Sequence, residues 1–133
     1  MLLTPFVLPA VVTLGVTLLL FACALHVGNV RRRHKIHAPA TTGHRELEVA
    51  LRVQMNTLEN AVLMLPTLWL ASFYFGPREA ALARTIWVVS RIWYAIAYTA
   101  EPRRRGGGFL GGTLAWASLL LMAAWGIGRS AIG

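Results

Sequence analysis

Two short sets of residues carry the chemical potential of this chain. Arg52, Asn56, Glu59 and Asn60 occur within nine residues of an otherwise apolar stretch. At about 100° per residue on a helix, they point at roughly 0°, 40°, −20° and 80°. One stripe would then offer a cation, an amide with donor and acceptor, and a carboxylate. Further on, with Arg91 as zero, Arg84 falls near roughly 20°, Trp87 near −40°, Tyr94 near −60° and Tyr98 near −20°. That face holds fixed guanidinium donors and two phenols. Taken singly these residues have plainer readings: Glu59 and Arg91 as an ion pair between packed helices, and Tyr94 and Tyr98 as anchors at a membrane interface.

The elements that must position them follow from composition. Of 133 residues, 56% are hydrophobic and 14% charged, with 13 Lys and Arg against 5 Asp and Glu. A soluble domain carries about 25% charged residues, so neither a soluble enzyme nor a disordered protein fits. The bases fall in short clusters between long apolar runs, which is the positive-inside pattern of a membrane protein and points away from nucleic acid. Four helical spans are expected, at about 5–28, 46–75, 79–100 and 109–128. Together they predict an all-α integral membrane protein, a single four-transmembrane-helix bundle over residues 1–133. The first run is too long for a cleaved signal peptide and lacks a basic leader. The breaks are read at Ala38–Gly43, at Gly76-Pro77, and at Pro102 with Gly106-Gly107-Gly108. Pro66 is tolerated inside a membrane helix as a kink.

Arg31, Arg32, Arg33, Lys35 and Arg45 lie in the first loop and Arg103, Arg104 and Arg105 in the third. Both loops are expected on the cytoplasmic side, with both termini outside. Contact with anionic membrane lipid accounts for part of this charge. A charged side chain inside a span costs about 2.5–3.5 kcal/mol, yet every such group here would collect at the cytoplasmic end of the bundle. A polar pocket walled by apolar helices explains that collection better than scattered ion pairs. Its guanidinium groups suit carboxylates, and Glu59 suits an ammonium. Glutathione has these groups, although composition alone does not select it over another small anion.

Four motifs in order resemble the MAPEG proteins (membrane-associated proteins in eicosanoid and glutathione metabolism) over nearly the whole chain. Val30-Arg31-Arg32 through Thr41-Thr42-Gly43 is similar to the first cytosolic loop of leukotriene C synthases. Arg52 through Glu59 resembles the family's second-helix Arg/Asn/Glu pattern, and Arg91 through Tyr98 its Arg/Tyr/Tyr pattern. Arg105-Gly106-Gly107-Gly108-Phe109 resembles the start of its fourth helix. The resemblance implies a homotrimer with glutathione as co-substrate between subunits. It implies Arg52, Asn56 and Glu59 on the peptide's charged ends, with Arg91 in the same set, and hydrogen bonds from Gln54, Tyr94 and Tyr98. Arg31 would come from the adjoining subunit, and Arg105 would stabilise the thiolate, with Arg103 and Arg104 close enough to share that assignment. Asn60 and Ala24 depart from the leukotriene C synthase pattern, so a general transferase or peroxidase of bacterial type is the expectation.

The expected function is a glutathione-dependent membrane enzyme that conjugates glutathione to lipophilic electrophiles, with lipid hydroperoxide reduction a further activity of the class. The alternative is a non-catalytic scaffold binding glutathione or partner helices. A small multidrug exporter fits less well, because residues 5–28 hold no acid to bind a cation. No metal is expected, since His26, His34, His37 and His44 have no standard ligand spacing and Cys23 stands alone.

Overall fold

The computed structural model describes residues 4–101 and 106–132. After a 3-10 turn at Thr4–Phe6, four helices follow: α1 Val7–His34, α2 Arg45–Tyr74, α3 Pro77–Ala100 and α4 Gly106–Ile132. No strand occurs among the described residues.

Local chemistry sets where each helix stops. α1 passes through Gly28, where it was expected to end, and continues to His34. Arg31, Arg32, Arg33 and His34 in its last turn suit the negative end of the helix dipole. Lys35 then turns left-handed at φ 54°, and the Ile36 N–H donates to the Arg31 carbonyl at 3.0 Å. α2 opens on His44, whose Nδ1 accepts the Glu46 N–H at 3.1 Å. Glu46 and Glu48 occupy its first turn, the favourable place for acids. Pro66 lies inside α2 without ending it. The N–H groups of Phe75 and Gly76 both donate to the Ala71 carbonyl, and Pro77 starts α3.

Gly106-Gly107-Gly108, read as a break, belongs to α4. A Cβ on Gly108 would stand 2.7 Å from the Tyr94 backbone nitrogen, and one on Gly112 would stand 2.5 Å from Arg91 Nη2. Glycine at these positions lets two backbones approach. α4 also runs past Gly128 to Ile132.

Residues 75 and 76 alone join α2 to α3, so the two helices form an antiparallel hairpin. Gly108 facing Tyr94 and Gly112 facing Arg91 make α3 and α4 antiparallel as well. The end of α1, the start of α2, the end of α3 and the start of α4 therefore share one end of the bundle, here called the basic end. Val16, Met64, Leu68, Trp87 and Leu119 form the main core, and Val27, Val30, Leu47 and Ala50 a smaller one toward the basic end.

The outer surface is apolar on every helix. Leu14, Phe21, Val62, Phe73, Ile86, Ile96, Leu114 and Leu121 are each more than half exposed, far beyond what water tolerates on a monomer. α1 and α4 have the length and apolarity of a membrane span. At about 1.5 Å per residue, α2 and α3 are also long enough to cross about 30 Å. Their polar stripes lower their hydropathy.

Candidate functional site

The polar stripes of α2 and α3 meet. Arg91 Nη1 donates to Asn56 Oδ1 at 2.8 Å. Arg91 is 0% exposed and lies between two rings, 5.5 Å from the Trp87 centroid and 5.3 Å from that of Tyr94. Cation–π attraction to both rings offsets part of its desolvation. Arg91 Nε and Nη2 have no hydrogen-bond partner among the described residues. Tyr94 is buried at 2% exposure, and its ring stacks on Tyr98 with centroids 5.5 Å apart.

Asn56, Arg91, Tyr94 and Tyr98 thus make one continuous polar seam. Arg52 and Glu59 lie on the exposed part of the α2 stripe, and Gln54 is half-buried. The Glu59–Arg91 pairing is not formed: the salt bridges among the described residues join Glu46 to Arg33 and to His34. Asn56 holds Arg91 instead, leaving the Glu59 carboxylate outside the pair. Asn60 turns back on its own helix, donating to the Asn56 carbonyl at 2.8 Å.

Arg31 lies at the end of α1, donates to the Ala40 carbonyl at 2.7 Å, and borders a cavity of about 510 Å³ with Arg32, Lys35 and His37. Arg105, with Arg103 and Arg104, lies outside the described residues. An apolar cavity of about 500 Å³ lies where α1, α2 and α3 meet, lined by Cys23, His26, Ala50, Val53, Ala95 and Ile96 among others. It contains none of the seam residues.

Two features exceed the sequence reading. Arg84 shares the Arg91 stripe and its full burial, but it lies toward the start of α3, away from the basic end where the charged groups are expected to collect. None of its guanidinium nitrogens has a hydrogen-bond partner among the described residues. The histidines, set aside on their spacing, do gather: His34, His44 and Glu46 bring one donor atom each to within 4.8 Å of one another. The turn from α1 into α2 makes this cluster, which no fixed residue interval signals.

Four antiparallel helices with an apolar exterior and an Arg/Asn/Tyr seam at one end define a small helical-bundle membrane protein. The sequence pattern of the MAPEG family matches residues 7–125, and the chain belongs to that family. It is 39% identical over 111 residues to an uncharacterized protein of Synechocystis, covering 84% of this chain and 81% of that one. To microsomal glutathione S-transferase 2 of Homo sapiens it is 34% identical, covering 80% and 73%. To leukotriene C4 synthase of Cavia porcellus it is 38% identical, covering 72% and 64%.

Proposed function

We propose that this chain is a glutathione-dependent membrane enzyme that joins the glutathione sulfur to lipophilic electrophiles and also reduces lipid hydroperoxides. The observation that carries this reading is the buried Asn56–Arg91–Tyr94 seam, found in a chain similar to a glutathione S-transferase and a leukotriene C4 synthase.

In this reading Arg52 binds a carboxylate of the peptide and Glu59 its ammonium group. Asn56, Gln54, Tyr94 and Tyr98 supply hydrogen bonds, and Arg91 fixes Asn56 and Tyr94 in place. Arg105 is assigned the role of favouring the thiolate form of the thiol, which is the nucleophile. The thiolate attacks an electrophilic carbon; in a substitution the leaving group departs with its bonding electrons, and in an addition the anion formed on the substrate takes a proton from water. With a hydroperoxide the sulfur attacks the distal oxygen, giving an alcohol and a sulfenic acid that a second glutathione converts to disulfide and water.

Arg52 and Glu59 are exposed on the flank of a single chain, which supports a site closed by a neighbour. The assembly proposed is a homotrimer, with residues 1–133 of each chain as one unit and Arg31 reaching the adjoining subunit's glutathione. All four helices cross the membrane, with the basic end cytoplasmic and both termini outside. The lipophilic substrate enters sideways from the bilayer.

The test uses purified protein in detergent. Glutathione should produce the ultraviolet absorbance of a bound thiolate, and an aromatic electrophile should then be consumed. Arg105→Ala should lose both, while Arg103→Ala and Arg104→Ala keep them. Glutathione binding without thiolate or turnover would make the protein a binder and not an enzyme.

A further inference from the structure

His34 ends α1, His44 caps α2, and Glu46 lies in the first turn of α2. His34 Nε2 stands 2.6 Å from Glu46 Oε2, and the His34 and His44 rings stack with centroids 3.5 Å apart and planes 18° apart. Arg33 Nη1 holds the other Glu46 oxygen at 2.6 Å. A cavity of about 300 Å³ adjoins the group, bordered by His44, Glu46 and Thr99. We infer that His34, His44 and Glu46 form a binding site for a zinc-class divalent ion that ties the end of α1 to the start of α2.

Two imidazoles and one carboxylate make a three-ligand set with a fourth position left for water, and the cavity offers room for that water. Bonds of about 2.0–2.2 Å in tetrahedral geometry set ligand atoms roughly 3.4 Å apart. Donor atoms already within 4.8 Å of one another reach that spacing by side-chain rotation alone. Glu46 can give Oε2 to the ion and keep Oε1 on Arg33, the outer-shell arrangement that orients a ligating carboxylate.

The ion's class follows from the donors. Calcium takes six or more oxygens and magnesium strict octahedral oxygen geometry. One carboxylate, already held by Arg33, supplies neither. Ions with high affinity for imidazole, Zn²⁺ with Co²⁺, Ni²⁺ and Cu²⁺, fit.

The stacked rings also say which ligand must move. Parallel imidazoles cannot both aim an in-plane lone pair at one ion, so one ring turns. His44 is the exposed one. Its Nδ1 now caps the Glu46 N–H, so turning it exchanges a helix cap for a metal bond. The site is independent of the glutathione reading.

The experiment takes full-length protein in detergent, free of any polyhistidine tag and stripped with chelator. Co²⁺ is added, and the visible bands of tetrahedral Co²⁺ are followed before and after Zn²⁺ competition. One ion per chain should bind at micromolar concentration, and Zn²⁺ should displace it. His34→Ala should weaken binding at least about tenfold. His44→Asn should do the same with an unchanged helical spectrum, because Asn is itself a good helix cap. His26→Ala and His37→Ala should bind as the parent does. Absence of stoichiometric binding below about 100 µM, or binding that survives both His34→Ala and His44→Asn, overturns the assignment.

Discussion

Arg84 and Arg91 are two buried arginines on one face of α3, and they differ in what they touch. Arg91 has the Asn56 oxygen and two rings. Hydrogen bonds to charged groups contribute about 1.5–3 kcal/mol, so Asn56→Leu should lower stability by that amount in a detergent thermal melt. It should weaken glutathione binding too, since Arg91 would lose the position that fixes Tyr94. Arg84 has no hydrogen-bond partner among the described residues, and a buried unpaired charge is costly. Arg84→Met keeps most of the volume and should raise stability by about 1 kcal/mol or more. A drop instead would show that the assembled protein supplies Arg84 with an anionic partner. The spacing of the α2 and α3 stripes made this seam legible in advance, because 3.6-residue periodicity fixes which side chains share a face. Which of them pair was not legible. Asn56 and Glu59 lie on the same stripe, and only the relative depth of α2 and α3 puts the amide against Arg91.

The helices themselves were visible as apolar runs, and the errors lie at their ends for a common reason. Gly28 and Gly106 to Gly108 look like stops in isolation, yet the end of α1 is settled by its basic last turn and the start of α4 by how closely it meets α3. This gives a graded test along α4. A Cβ on Gly106 meets nothing within 4 Å, one on Gly107 meets the Trp93 side chain at 3.2 Å, and one on Gly108 meets the Tyr94 backbone at 2.7 Å. Gly106→Ala should be neutral or slightly stabilising. Gly107→Ala should cost little, because a ring edge can yield. Gly108→Ala should cost about 1–3 kcal/mol and push α4 off α3. Equal melting temperatures for the Gly106 and Gly108 variants would show that the helices do not approach this closely. At the α1–α2 connection the acid Glu46 matters. The hydrogen bond with His34, followed by the charges of Arg33 and the histidines, holds its carboxyl below the ordinary range despite some desolvation. An acid with a depressed folded value stabilises above its unfolded value of about 4.3, and that contribution disappears as pH falls through the folded value. In chelator-treated protein, amide exchange across residues 35–44, corrected for intrinsic rate, should accelerate as pH drops below about 4. Glu46→Gln should already show the faster exchange at pH 6. If it exchanges like the parent there, the carboxylate does not hold this turn.

At the scale of the whole molecule, the single chain presents an apolar coat and an open-sided seam. Leu14, Phe21, Ile96 and Leu121 face outward, where lipid or a second subunit must cover them. Arg31 binds the Ala40 carbonyl in its own first connection, while Arg52 and Glu59 lie along α2. A site needing all three is most simply closed head to tail, α1 of one chain against α2 of the next. In the proposed homotrimer this heterologous contact closes into a ring with three equal sites. Complementation separates this from a site made within one chain. Arg31→Ala and Arg52→Ala should each abolish thiolate formation when expressed alone. Co-expressed, they should mix randomly in the proposed trimers. A site is intact only where an Arg52→Ala chain lends its Arg31 to an Arg31→Ala neighbour, which holds for about a quarter of the sites. Thiolate absorbance should therefore return to about a quarter of the parent value. Full inactivity of the mixture, with mixed trimers confirmed by differential tagging, would place Arg31 and Arg52 in the same chain's site.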